Sequence, residues 1–386
     1  MAKKCIAVLE IGSSKISCIV GTRNSSDTFD ISAYSTVEYA GFMEGSFLEP
    51  EALPKAIAQA ITDAEISAQK YITHLYIGVP AEFSVVEVKS ARKVFARPKK
   101  VTVFDVDEMF EEAEGLKKSS THLVIGRSPV FFELSDKRKV VDPIGEITSS
   151  LNATLSFVLG EQGFISEIGR IMKTLSVPNV EFVSETLAEC MFVVDPAKRD
   201  ESAVLVDCGF ITTSVSMVMG DGIVALSSFS LGGGHLSGDL YKCLELPYNV
   251  CESLKRKAVI SIAPEADDYY EVSVDGQTHK ISAQMANEIL IDRIVQIADV
   301  ITKCIAASNI TFPEDKPILL TGGGLGLMRG VRDQLGKRLN RRIEIAVPSV
   351  PELDRPNLSA GLSLLNLALD QPPTVKLNIF KIFGKK

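Results

Sequence analysis

The stretch Cys5-Ile6-Ala7-Val8-Leu9-Glu10-Ile11-Gly12-Ser13-Ser14-Lys15-Ile16-Ser17-Cys18-Ile19-Val20 decides the fold. An apolar run stops at an acid, passes a glycine and two serines, and enters a second apolar run. That is strand, tight turn, strand. The pattern returns much later. Ala203 to Val206 leads into Asp207-Cys208-Gly209-Phe210-Ile211-Thr212-Thr213, and Val215 to Met219 follows. Each copy is succeeded by a third strand candidate, Asp30 to Val37 and Ile223 to Phe229. Helices then follow near Pro50 to Gln69 and Leu236 to Leu246. Three antiparallel strands and then α/β alternation, occurring twice, predict an α/β chain of two duplicated halves with mixed sheets.

Residues between about His74 and Gly160 do not fit the duplication. Strand candidates there are Leu75 to Val79, Phe83 to Val88, Leu123 to Ile125, Phe131 to Leu134 and Leu151 to Leu159, with a helix from Asp105 to Lys117. They read as a small inserted α+β module, opened by Leu75-Tyr76-Ile77-Gly78-Val79. Region 241–310 reads as a second insertion. It holds a helix around Cys251 to Lys257, a hairpin turning at Asp275-Gly276, and a long helix from Ala283 to Ala307. The basic run Arg92 to Lys100 reads as a solvated edge, since lysines discourage aberrant strand pairing; a partner surface is the sharper alternative.

The 386 residues exceed one ordinary domain, and 46% hydrophobic with 23% charged residues is a soluble globular balance. A net charge of −8 argues against a nucleic-acid partner. Cys5, Cys18, Cys190, Cys208, Cys243, Cys251 and Cys304 form no C-x-x-C pair and read as small hydrophobes in a reducing compartment. The first apolar run is too short for a signal peptide, and no segment approaches the ~20 apolar residues of a membrane span. A cytoplasmic protein is expected.

Glycine lets backbone N–H groups approach a phosphate chain with no side chain in the way. Gly12-Ser13-Ser14 with Lys15 is one such turn, and Gly209 with Thr212 and Thr213 is another. Gly232-Gly233-Gly234 and Gly322-Gly323-Gly324 each precede a helix, whose N-terminus adds free N–H groups. Each turn alone reads as an ordinary tight turn; their recurrence at matched positions favours a phosphate chain. Glu10 and Asp207 end strands at the first two turns. There they could hold the waters of a nucleotide-bound Mg²⁺, or simply accept turn hydrogen bonds.

These residues resemble the actin-like ATPase superfamily, and within it the FtsA family of bacterial cell-division proteins. Glu10 to Ile16 resembles the family's first phosphate motif and Val206 to Thr213 the second. Gly232-Gly233-Gly234-His235-Leu236-Ser237-Gly238-Asp239 resembles the connecting motif, which adds Asp239 to the expected water-mediated metal set. Glu252 with Lys255 is similar to the ribose and base pair, and Leu319 to Leu325, including Leu325 itself, to the adenosine motif. Asp142-Pro143-Ile144-Gly145 and the following strand resemble the FtsA-specific module.

The resemblance implies an actin-like fold of two RNase H-like halves with that α+β module inserted. The expected organisation is 1–78 continued by 161–195 for the first half and 79–160 for the module. The second half is 196–240 with 311–370, its insertion 241–310, and the tail 371–386. Two departures stand out. Glu10 replaces the usual aspartate, while Phe210 and Ile211 replace small residues, and Ser214 stands where an acid is usual. At most weak ATP hydrolysis is expected, with no residue assigned a catalytic role.

The tail Val375-Lys376-Leu377-Asn378-Ile379-Phe380-Lys381-Ile382-Phe383-Gly384-Lys385-Lys386 combines large apolar residues with lysines and has no acid. On a helix, Leu377, Ile379, Phe380, Ile382 and Phe383 would enter a membrane interface. Lys381, Lys385 and Lys386 would sit near anionic lipid. So short a segment binds weakly alone, and polymerisation would strengthen it. A last element packed on the body is the alternative. The resemblance implies self-association into filaments, the C-terminal peptide of the tubulin-like protein FtsZ as partner, other division proteins, and the cytoplasmic face of the plasma membrane at the division site. Other readings are a scaffold resembling the pilus-assembly protein PilM, which lacks a lipid-binding tail, and a superfamily kinase, which needs a base this sequence does not offer.

Overall fold

The computed structural model describes residues 5–24, 29–115 and 121–370. The expected membrane tail, 371–386, lies outside the described residues, so Leu377, Ile379, Phe380, Lys381, Ile382, Phe383, Lys385 and Lys386 receive no structural account.

Two five-stranded sheets have the same topology. In the first, Ile6–Ile11 pairs antiparallel with Lys15–Arg23, which pairs antiparallel with Phe29–Glu38. On its other side Ile6–Ile11 pairs parallel with His74–Val79, which is flanked by Asn179–Ser184. In the second, Ala203–Cys208, Thr213–Met219 and Gly222–Phe229 repeat the antiparallel set, with Ile318–Thr321 and Ile343–Ile345 added in parallel. Leu75 to Val79, which the local pattern groups with the inserted module and the expected bounds 1–78 place almost wholly in the first half, belongs to the first sheet. Its parallel partners are distant in sequence, which is why its local pattern misplaced it.

The module is a four-stranded sheet in which Ile147–Glu161 lies between Ser84–Lys100 and His122–Leu134. Helix Val103–Gly115 buries Met109, Phe110 and Ala113 against it. The basic run falls on Ser84–Lys100, an edge strand. The second insertion contains the hairpin Tyr269–Val274 and Gln277–Ser282. Asp275 and Gly276 both take positive φ there (49° and 80°), as a two-residue turn of this type requires. Helix Ala283–Ala307 buries a stripe including Leu290, Ile294, Ile297 and Ile301 against the second half.

Strand alternation sets the faces. In the first strand Ala7, Leu9 and Ile11 point to a core shared with helices Leu53–Ala68 and Gln162–Thr174. Ile6 and Val8 point the other way, onto Leu362, Leu364 and Leu365 of the closing helix Ser359–Asp370. That helix, expected within the second half, packs on the first sheet. Conversely, helix Glu185–Val193 follows the first sheet but sets Leu187 and Cys190 against Ala203, Leu205 and Leu319 of the second. Each half thus sends its final helix across to the other. An apolar face tells a helix to be buried, and only the tertiary arrangement says by what.

Candidate functional site

The same alternation places Glu10 and Asp207 on the inward faces of their sheets, at the ends of equivalent strands. They meet in a cleft of about 460 Å³ between the halves. Gly12, Ser13, Ser14 and Lys15 line it from the first turn, and Gly209 and Thr212 from the second. Gly322, Gly323 and Gly324, with Glu252 and Lys255, complete the wall from the second half.

Not every expected residue reaches this space. Gly232, Gly233 and Gly234 lie behind it, with their N–H groups already used. Gly233 N–H donates to Gly209 O (2.9 Å), Gly234 N–H to Phe210 O (2.7 Å), and Gly232 N–H to His235 Nδ1 (3.0 Å). Their bareness serves backbone packing, since a Cβ on Gly233 would stand 2.5 Å from Gly324 Cα. Thr213 is buried and its hydroxyl donates to Leu231 O (2.6 Å). Leu325 is fully buried in the core of the second half. Asp239 lies in a separate cavity of about 300 Å³, held by Arg293 through two hydrogen bonds of 2.6 and 2.8 Å. Its carboxylate is committed there, away from the cleft.

Glu252 and Lys255 sit one helical turn apart and are tied together. Lys255 Nζ donates to Glu252 Oε2 (2.7 Å) and to Gly233 O (2.8 Å); Ser237 Oγ also donates to Glu252 Oε2 (2.5 Å). Burial pushes the Lys255 ammonium down despite Glu252, and Lys255 helps hold the Glu252 carboxyl below its usual range against its own burial. Lys255 also lies over the Phe210 ring, 5.9 Å from its centre. Phe210 therefore faces the cleft, and the bulk foreseen there is present.

Two acids were not foreseen. Glu185 and Glu189, four residues apart on the crossing helix, share one face and line the cleft floor. Ser184 caps that helix by accepting from Leu187 N–H (3.1 Å). Glu185 Oε2 and Glu189 Oε1 are buried without a protein hydrogen-bond partner, as is Asn357 Oδ1 on the opposite wall. The available signal was a pair of acids four residues apart, one opening and one inside the otherwise apolar stretch 185–193.

Four carboxyls thus face one another with Lys15 as the nearest cation. Burial raises the Glu10 carboxyl, and Lys15 pulls it back. Burial and then Glu10 push Asp207 up to about 6, again opposed by Lys15. Burial and neighbouring acids drive Glu185 and Glu189 well above the carboxylate range. Burial alone would lower the Lys15 ammonium, but Glu10, Tyr34 and Asp207 together raise it. Buried oxygens lacking partners suit a hard divalent cation. Among the described residues no three metal-ligating side chains converge on one point.

A family model described as cell division protein FtsA matches residues 204–363. The chain is 22% identical over 378 residues to the cell division protein FtsA of Neisseria meningitidis serogroup B, covering 95% of this chain and 90% of that one. It is 21% identical over 396 residues to that of Borreliella burgdorferi, covering 100% and 95%. The chain is thus similar to FtsA cell-division proteins along nearly its whole length. Among solved structures it is similar to the PilM–PilN type IV pilus biogenesis complex (TM-score 0.64, 16% identity, covering 95% of this chain and 99% of that one). It is also similar to MreB5 of Spiroplasma citri bound to ADP (TM-score 0.54, 11% identity, 99% of both). These likenesses show an actin-like fold.

Proposed function

We propose that this FtsA-related chain is an ATP-site scaffold of cell division that polymerises and tethers the FtsZ ring to the cytoplasmic membrane. One observation carries the nucleotide part: a single cleft gathers both strand-end acids, Lys15, two glycine turns of matched topology and the glycines 322–324. Nucleotide with Mg²⁺ would touch both halves at once and fix their angle, which is how a bound ligand favours one assembly geometry. The waters of Mg²⁺ would be held by Glu10 and Asp207. In this reading the nucleotide is a structural ligand rather than fuel. The FtsZ C-terminal peptide, filament contacts and other division proteins enter by relation to FtsA. Among the described residues no helix is long and apolar enough to cross a membrane; membrane attachment is assigned to the tail.

The test is co-sedimentation with vesicles containing anionic phospholipid, in the presence of Mg²⁺ and nucleotide. The full chain should pellet with the vesicles, and a chain ending at Asp370 should remain in solution. Equal pelleting of the two would remove the tail from the anchor and leave a PilM-like scaffold as the better reading.

A further inference from the structure

We infer that the inserted module is a brace between the two halves. Its contact with the second sheet sets how far the cleft opens, and undocking it weakens binding in the cleft; only that last step rests on the nucleotide reading above. The duplication makes the contact visible. In the first sheet the outer strand Phe29–Glu38 leaves Asp30, Ser32, Tyr34, Thr36 and Glu38 exposed. The matching outer strand of the second sheet, Gly222–Phe229, has no exposed residue. The module covers its start, as an added element covers a sheet edge.

The fit there is close. Asp221 N–H donates to Pro129 O (3.0 Å), and the Ser156 hydroxyl donates to Ile223 O (2.6 Å). A Cβ on Gly220, at φ +57°, would stand 1.8 Å from Val130 O. One on Gly222 would stand 2.9 Å from both Ser156 Cβ and Val130 Cγ2. Val158 of the module is fully buried in one cluster with Val218 and Ile223. The module also holds the other half: Leu123 and Ile125 pack against the core of the first half, and Ile125 touches the cluster of Val158 and Ile223 as well. It is wedged between the halves and joined to both.

Position gives this contact its effect. The crossing helix Glu185–Val193 meets the second sheet at Ala203, Leu205 and Leu319. The strand Gly222–Phe229 lies two places further out than Ala203–Cys208, about 10 Å away. A contact off the line of the crossing helices resists rotation about that line. The same strand carries the restraint to the cleft, whose wall includes Ser228 near its end, with Ala81 and Glu82 at the root of the module. Docking of the module and occupancy of the cleft then favour each other by the same factor.

The experiment measures the distance between spin labels on the two halves of the full chain. The labels go on Ile66→Cys and Met285→Cys, both exposed positions, with Cys5, Cys243 and Cys304, the cysteines that are not buried, changed to serine. The parent should give one narrow distance distribution. Gly222→Val forces the turn off Val130 and Ser156, so the distribution should broaden or split. Calorimetry should show Mg·ADP binding to Gly222→Val at least about fivefold more weakly than to the parent, and saturating Mg·ADP should narrow the distribution again. Thr36→Val, on the open edge of the first sheet, should change neither reading. Ser156→Ala removes one hydrogen bond of the contact and should act in the same direction to a smaller extent; it carries the test if Gly222→Val does not fold. An unchanged distribution in whichever variant folds overturns the brace. A broadened distribution with unchanged Mg·ADP affinity overturns its coupling to the cleft. A parent that binds no Mg·ADP removes the nucleotide reading and the coupling with it, and the distances alone then decide the brace.

Discussion

Asp207 shows how a residue can serve a site at the expense of the fold. Its carboxyl is raised to about 6 by burial and by Glu10. The folded chain therefore binds this proton more readily than the unfolded chain does. The contribution to stability is complete below the ordinary aspartate range and is lost as pH rises through about 6. At pH 7.5 the ionised group costs stability, so Asp207→Asn should raise the unfolding temperature there by roughly 2–4 °C, about 1 kcal/mol or more. The difference should shrink as pH falls and close only below the ordinary aspartate range, near about pH 3. Asp105, whose burial is outweighed by Lys93 and Lys99, pulls the parent chain's pH profile the opposite way; the difference between variant and parent isolates Asp207. A variant that melts lower than the parent at pH 7.5 would show that the charge is stabilising. Glu10 and Asp207 could be read in the sequence because each ends a strand at a repeated turn. Glu185 and Glu189 could not, because a helix pattern gives the angle between side chains but not which face meets a cleft. The same holds for Gly232 to Gly234. A glycine run announces close approach, and whether the approaching group is a phosphate or the backbone at Gly209, Phe210 and Gly324 is settled only by tertiary packing.

At the level of elements, the two crossing helices carry most of what local patterns could not place. The strand–turn–strand pairs, the Asp275-Gly276 hairpin and the long helix Ala283–Ala307 were legible, because each depends on contacts near in sequence or on an unbroken period. The closing helix was legible as a helix but not in its docking. Leu364 shows how closely it fits: the side chain is fully buried, and a Cβ on Gly78 of the first sheet would stand 2.6 Å from its Cδ1. The same Cβ would be 2.9 Å from Glu185 Oε2. Leu364→Ala should therefore open a cavity beside the acid cluster and cost about 2–4 kcal/mol. Urea unfolding should report this as a lower midpoint with an unchanged slope. A loss under about 1 kcal/mol would mean that the helix rests on the sheet only loosely.

For the whole molecule, the exchange of final helices means that neither half owns its complete core. Without residues 359–370, the first sheet would present Ile6, Val8, Ile19 and Tyr76 to water, all of them now buried in one cluster with Leu362, Leu364 and Leu365. Apolar surface of that continuity drives association. A chain of residues 1–195 should therefore aggregate or stay partly unfolded when expressed alone. Adding a peptide of residues 356–370 should restore a soluble, cooperatively melting species. The full chain should unfold in one transition, because loss of either half removes a wall of the other. A soluble, sharply melting 1–195 with no need of the peptide would separate the halves energetically and assign the crossing helices a lesser role. The cleft makes the same demand from the other direction. Its floor comes from both crossing helices, through Glu185 and Glu189 on one and Ala360 on the other. A ligand seated there presses on the elements that hold the halves together, so its occupancy and the angle between the halves are one equilibrium.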